Sequence, residues 1–424
     1  MSTAGTRISP PDFPEQAAHL TARLRAAVAA ALAAVPDLPG RRPIDLANGL
    51  GIDANLAWKV SRLVNDDEPF VSARHLPGPA AFDILLRALE LAGVSNALAA
   101  AARAAFDGFK DLTRTHAGDR TSLRMLLDGE AQKFDARATV NHRRRAFEAN
   151  SFIWGVQARV NFKLNVLAPS SDPASVDLAS IRGFVDVRRI RPNVPWRLIQ
   201  TTSTDRTGAV RTEFAREALC DAPGPPPDAG GLLLLPEFCS HPLPQCRQIQ
   251  GPGGLREWEL VEGAVGNIGV LTCVMGEIIR AIESRFRTEH LQQRVISSNM
   301  RMPSEWAVLD LVLHRALRTP GTTLDFTAYS DLFRSSMTAS TYRDCDRLPV
   351  HERLEYLGDA RTAPPASEIP KHAAMYRLIF ERTAWDPADF DVYRLRMRFP
   401  PIPSNLRISH ELPPRPGDAA GREG

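Results

Sequence analysis

The sequence predicts an α+β chain built in more than one part, with a small all-helical N-terminal region carrying a two-helix corner and a larger mixed region behind it. Three observations carry this. Up to about residue 128, apolar residues recur on a helical period among strong helix formers, broken by Pro- and Gly-rich corners. Past residue 129, apolar and polar residues alternate in runs rich in Val and Phe, which marks strands. A chain of 424 residues also exceeds what one core organises. The expected parts are a mobile tail with a leading helix (1–40), a helical domain (41–128), an α+β domain (129–412) and a disordered tail (413–424).

In chain order, residues 1–14 are polar and proline-bearing. The stretch 15–35, EQAAHLTARLRAAVAAALAAV, reads as a helix, and PDLPGRRP breaks it. Helices continue from 44 to about 127. PAAFDILLRALELAGVS has its proline at the start and glycine at the end, the usual helix polarity. SFIWGVQARVNFKLNVLAP, IRGFVDVRRIRP, PWRLIQTTST and REWELVEG read as strands, and APGPPPDAGG (222–231) as a loop. NIGVLTCVMGEIIRAIESRFRTEHLQQRV reads as a long helix, with a strand at its start as the alternative. SEWAVLDLVLHRAL and KHAAMYRLIFERTA read as amphipathic helices. RIRPNVPWRLI (189–199) and RMRFPPIPSNLRI (396–408) form a weak internal echo that aligns only with gaps.

Composition narrows the function classes. Apolar content of 44% and charged content of 24% are ordinary for a globular protein. No apolar run reaches the roughly 20 residues of a membrane span, and MSTAGTRISPPDFPEQ lacks a secretory layout, so a cytoplasmic place and no membrane partner are expected. Five cysteines, an odd number, fit reduced thiols. Scarce lysine beside abundant Arg, Ala and Pro points to a bacterial source. A net charge of +3 means that any nucleic-acid contact has to be local.

One short stretch concentrates the signal. DLANGLGIDANLAWKVSRLV (45–64) reads as two helices around a tight corner. Ala47 is the small residue that lets the helices approach, and Gly51 supplies the positive φ of the corner. Leu46, Leu50, Ile52, Ala57 and Val60 form the inner face, and Asp53 is the N-cap of the second helix. This stretch resembles the helix-turn-helix of phage-repressor-like transcription regulators, and FDILLRALELAGVS (82–95) resembles a later helix of that fold. The resemblance covers residues 41–95. It departs in the long connection NDDEPFVSARHLPGPA, where a short wing, and so a winged helix, is the structural alternative.

The resemblance implies a regulator that binds double-stranded DNA as a homodimer, with the second helix in the major groove. Its outward residues would be Ala54, Asn55, Trp58, Lys59 and Arg62. Asn55 would read adenine, Lys59 and Arg62 would meet guanine or phosphate, and Arg41 and Arg42 would meet phosphate. Asp66, Asp67 and Glu68 just beyond argue against it, as does an outward Trp58. The large region would sense a small-molecule effector or drive oligomerisation.

Other constellations read blandly. Cys239, His241 and Cys246, with Glu237 beside them and Cys220 as a possible fourth ligand, match no common zinc spacing, and buried thiols in a proline-rich loop are expected. NHRRRAFEAN (141–150) reads as the solvated face of a helix leading into a strand, with a phosphate or acidic-ligand patch as the alternative. GPGG (251–254) reads as a turn. No nucleophile elbow, zincin pair or dinucleotide fingerprint is found, and Asp344, Asp346, Glu352 and Glu355 are scattered. His241, His314, His351, His372 and His410 are expected in surface or packing roles. No catalytic residue, metal ligand or cofactor is expected. The alternatives are a protein-binding or assembly protein that uses the corner as a packing module, or an enzyme of unrecognised kind in the large region.

Overall fold

The computed structural model describes residues 12–36, 38–131, 136–200, 203–204, 210–211, 216–220, 233–250, 256–288, 291–319, 321–331 and 344–415. The loop expected at 222–231, the turn at 251–254 and most of both terminal tails lie outside these residues. The chain divides into two compact units, Met1–Asn141 and His142–Gly424.

The first unit is helical: α1 (Phe13–Ala33), α2 (Pro43–Leu50), α3 (Ala54–Asn65), α4 (Pro69–Ala73), α5 (Pro79–Leu91), α6 (Asn96–Leu112) and α7 (Arg120–Ala131). In α1 the buried residues Ala17, Thr21, Leu24, Val28, Ala31 and Leu32 form one stripe at helical spacing. Gly108 of α6 lets α1 come close, since a Cβ there would stand 2.6 Å from Leu20 Cδ2. Phe82 of α5 stacks on Phe106 of α6 with centroids 4.1 Å apart, in the middle of the core. The long connection after α3 holds α4 and, among its described residues, no strand, so the wing is corrected to a helical turn. Ser72 Oγ donates to the Leu63 carbonyl at 2.7 Å, and Arg120 Nη2 donates to the carbonyls of Leu76 and Pro77.

Helix α8 (Ala136–Trp154) leads into the second unit. Its Arg143 is buried against Glu352 while Arg144 pairs with Glu148 one turn on. The run expected as a solvated face therefore turns one arginine inward, and Ser151–Trp154, expected as strand, ends the helix.

The strands are β1 (Val156–Pro169), β2 (Ser175–Arg189), β3 (Trp196–Gln200), β4 (Ser203–Thr204), β5 (Val210–Arg211), β6 (Arg216–Ala218), β7 (Cys246–Gln250), β8 (Arg256–Leu260), β9 (Leu271–Ser284), β10 (Gln293–Met300), β11 (Ser304–His314), β12 (Asp325–Ser330), β13 (Glu355–Asp359), β14 (Phe390–Arg398) and β15 (Ser404–Glu411). Seven form a sheet in the order β13-β14-β11-β1-β2-β9-β6, and smaller sheets run β10-β15-β12 and β3-β8-β7. Only the central pair β1·β11 of the large sheet is parallel, with Ala158 opposite Ser304. Helix α9 (His372–Thr383) covers one face through Met375, Ile379 and Phe380 against Phe162, Leu164 and Val392. Leu406, Ile408 and Ala328 of the β10-β15-β12 sheet cover the other face, against Leu309, Leu311 and Leu395.

Two expected helices, within 267–295 and over 304–317, are strands β9 and β11. Strand β11 is buried on both faces over most of its length and β9 over Cys273–Ile278, so their apolar residues run nearly without a break, and periodicity cannot separate such a run from a buried helix. Pro413, expected in the disordered tail, accepts a backbone hydrogen bond from Arg287 at 2.9 Å.

Candidate nucleic-acid interface

The corner at residues 51–53 is built by local chemistry. Gly51 closes α2 at φ 63°, and the Ile52 N–H returns to the Ala47 carbonyl at 3.2 Å, which ends the helix in a left-handed turn. Asp53 then accepts from the Asn55 and Leu56 N–H groups at 2.8 and 3.3 Å, so α3 starts capped. Leu46, Leu50, Ile52, Ala57 and Val60 are all buried, as the spacing predicts.

Opposite that buried face, Asn55, Trp58 and Arg62 are exposed and Lys59 is half-buried. The 12 residues of α3 span about 18 Å, a length that enters a major groove. Arg41 precedes α2, and its carbonyl accepts from Ser61 Oγ at 2.6 Å and from Asn65 Nδ2 at 3.3 Å, which ties the entering segment to α3. Arg42 is committed locally: its Nε and Nη2 donate to Asp45 at 2.8 and 3.0 Å, which holds the Asp45 carboxyl below its usual range. Arg41 and Lys59 have no ion-pair partner among the described residues.

The acids beyond α3 and the outward Trp58 have the following partners. Asp66 lies 3.4 Å from Arg62, and the exposed Asp67 carboxylate lies 3.4 Å from Arg25 Nη2, whose other terminal nitrogen donates to the Asp67 carbonyl at 2.9 Å. Trp58 is 44% exposed but rests edge-on against His75, with centroids 4.9 Å apart. Burial pushes the His75 pKa down against the pull of Asp66, which keeps the ring neutral at pH 7. His75, Ser61 and Asn65 were not singled out by sequence, because each acts across a gap of many residues.

The second unit contains two polar constellations with structural work to do. Buried Asp310 on β11 accepts Arg394 Nε and Nη2 at 2.8 and 2.7 Å and the Tyr376 hydroxyl at 2.6 Å. His372 Nδ1 accepts the Ala366 N–H at 2.9 Å, which assigns the proton to Nε2, 3.5 Å from Asp310. Burial takes the His372 pKa down to about 4. Arg396 pairs with Glu368 beside this cluster, and together they pin α9 to the sheet. Asp310, Arg394 and His372 are buried, and Tyr376 is half-buried.

The cysteines form the other constellation. Cys246 Sγ donates to the Pro244 carbonyl at 3.7 Å, and Cys239 bonds the backbone of Val274. His241 is exposed. Among the described residues no group of three His, Cys, Asp or Glu side chains is placed to hold a metal ion.

No protein family matches the chain. A search of curated proteins finds no match either. Among the described residues no helix is long and apolar enough to cross a membrane.

Proposed function

We propose that the chain is a DNA-binding transcriptional regulator whose first unit docks α3 in the major groove. One observation supports it most: a glycine-cornered, Asp53-capped helix pair with a largely apolar inner face leaves Asn55, Lys59 and Arg62 outward, with Arg41 beside them. Asn55 is suited to an adenine edge, and Lys59 and Arg62 to guanine or phosphate. Arg41 is free for a phosphate, whereas Arg42 has to give up part of its pairing with Asp45, and Arg62 its pairing with Asp66, to reach one. In this reading the second unit senses a small effector or joins two chains, so that paired α3 helices meet successive half-sites.

The test is duplex binding over a salt series with the wild type and the Lys59→Ala/Arg62→Ala variant. Affinity should fall steeply with salt in the wild type, and the slope should drop by up to about 1.8 in the variant, about 0.9 per lost phosphate contact. Absence of binding, or binding indifferent to both changes, overturns the reading. The exposure of Trp58 (44%) and Ile44 (59%) favours a second reading, a protein-docking face. Trp58→Ala would then abolish capture of a partner that Lys59→Ala leaves intact.

A further inference from the structure

The alternation that makes β1 a strand places Asn161, Lys163 and Asn165 on the face turned to the β10-β15-β12 sheet. Lys163 Nζ donates to the Ser297 carbonyl of β10 at 3.0 Å, and Asn161 Nδ2 lies 3.7 Å from Met300 Sδ. Across the strands, Arg182 stands opposite Lys163, Ser180 opposite Asn165, and Glu277 opposite Ser180. On its other side β1 faces Leu309 and Leu311, which are apolar. A polar row thus crosses three strands in a space that stacked sheets normally fill with apolar side chains.

Donors exceed acceptors in this row. Ser180 Oγ donates to Asn165 Oδ1 at 3.0 Å, but Asn165, 1% exposed, leaves Nδ2 with no partner. Lys163 carries three N–H groups and spends one. The Glu277 carboxylate is already shared between Arg182, at 3.1 Å, and Arg216, at 2.7 Å. Buried native donors almost always find an acceptor, so the orphaned Asn165 Nδ2, two residues along the strand from an amine with hydrogens to spare, points to a missing anion. Lys163 is half-buried and the Arg182 side chain is 31% exposed, so this end of the row reaches solvent.

We propose that Lys163, Asn165 and Arg182 bind a small carboxylate, whose two oxygens take the spare hydrogens of the amine, the amide and the guanidinium. Burial lowers the Lys163 pKa to about 8, with Arg182 adding to the fall and Glu277 opposing it. A bound anion reverses that shift, so binding above pH 8 takes up a proton. Its role as the effector site of the regulator rests on the DNA-binding reading. Carboxylate binding is measured without DNA, so the two readings fail separately.

The experiment is calorimetry of the full chain with acetate, succinate and inorganic phosphate at pH 8.5, in two buffers of different ionisation heat. With a lysine pKa of about 8 in the free protein, the expected uptake is about three-quarters of a proton per bound carboxylate. Lys163→Met should abolish the uptake, and Asn165→Leu should weaken binding about tenfold. In the unaltered chain, carboxylate should slow acylation of Lys163 and leave that of Lys59 unchanged. The proposal is overturned if neither carboxylate binds below about 10 mM, if binding occurs without proton uptake, if acylation is unprotected, or if phosphate binds more tightly.

Discussion

Replacing Asp310 by Leu tests whether the cluster under α9 holds the second unit together. The carboxylate accepts three hydrogen bonds, two from Arg394 and one from Tyr376, at 2.6–2.8 Å and 2% exposure. Without it the guanidinium stays buried with the Pro364 carbonyl, at 2.8 Å, as a remaining acceptor. A buried charge stripped of its partner costs about 3–5 kcal/mol, and an unsatisfied hydroxyl about 1–3 kcal/mol more. Leucine returns part of this by its apolar contact, so the net loss should be about 4–5 kcal/mol. That is a large share of the 5–15 kcal/mol typical of a folded domain. Urea unfolding followed by Trp385, whose ring lies 5.9 Å from Phe390 beneath α9, reports on this unit. The double variant Asp310→Leu/Arg394→Met removes both charges and should recover most of the loss. A single variant that costs less than about 1 kcal/mol, or a double variant no more stable than the single, refutes the assignment.

Three further outcomes are expected. Asp53→Ala removes the acceptor for two N–H groups at the start of α3 and should cost about 1 kcal/mol, read as a lower urea midpoint of the helical unit. His372 and His410 are both held down to about 4 by burial, against about 6.5 when unfolded. Their contribution is fully present above pH 6.5 and is lost as pH falls toward 4, by about 3 kcal/mol for each ring; His372→Gln should flatten this part of the pH–stability curve. Cys246, whose pKa is lowered by the Cys273 thiol, is half-buried, whereas Cys273 is buried with its pKa raised. Iodoacetamide should therefore modify Cys246 well before Cys273, which peptide masses will show.

What could be read from sequence was what depends on neighbours in sequence. Gly51 and Asp53 act within a few residues of themselves, so the corner, its cap and its inner face stand where the spacing puts them. Helix α9 kept its 3.6-residue period because the sheet covers one side of it. Strands β9 and β11 lost their alternation because both faces are covered, and they read as helices. Lys163 failed in the opposite way: its alternation was visible, but a polar face ordinarily means solvent, and only β10 reveals that this one is enclosed. The partners of Asp310 lie on α9 and β14, far along the chain, and no local pattern announces them.

The parallel pair at the centre of the large sheet sets an order of events during synthesis. Every residue in the core of the first unit lies before residue 128, so that core needs nothing that the ribosome has yet to make. Strand β1, by contrast, follows almost at once but must wait for β11, and the covering strand β15 ends at Glu411. Nascent chains of intermediate length therefore carry a finished helical unit trailing a strand hairpin with one long unpaired apolar edge. Such an edge invites pairing with other chains. Truncations between β2 and β11 should keep the helical unit and aggregate through the rest, and slow decoding across that interval should lower the yield of the whole protein while sparing its first third.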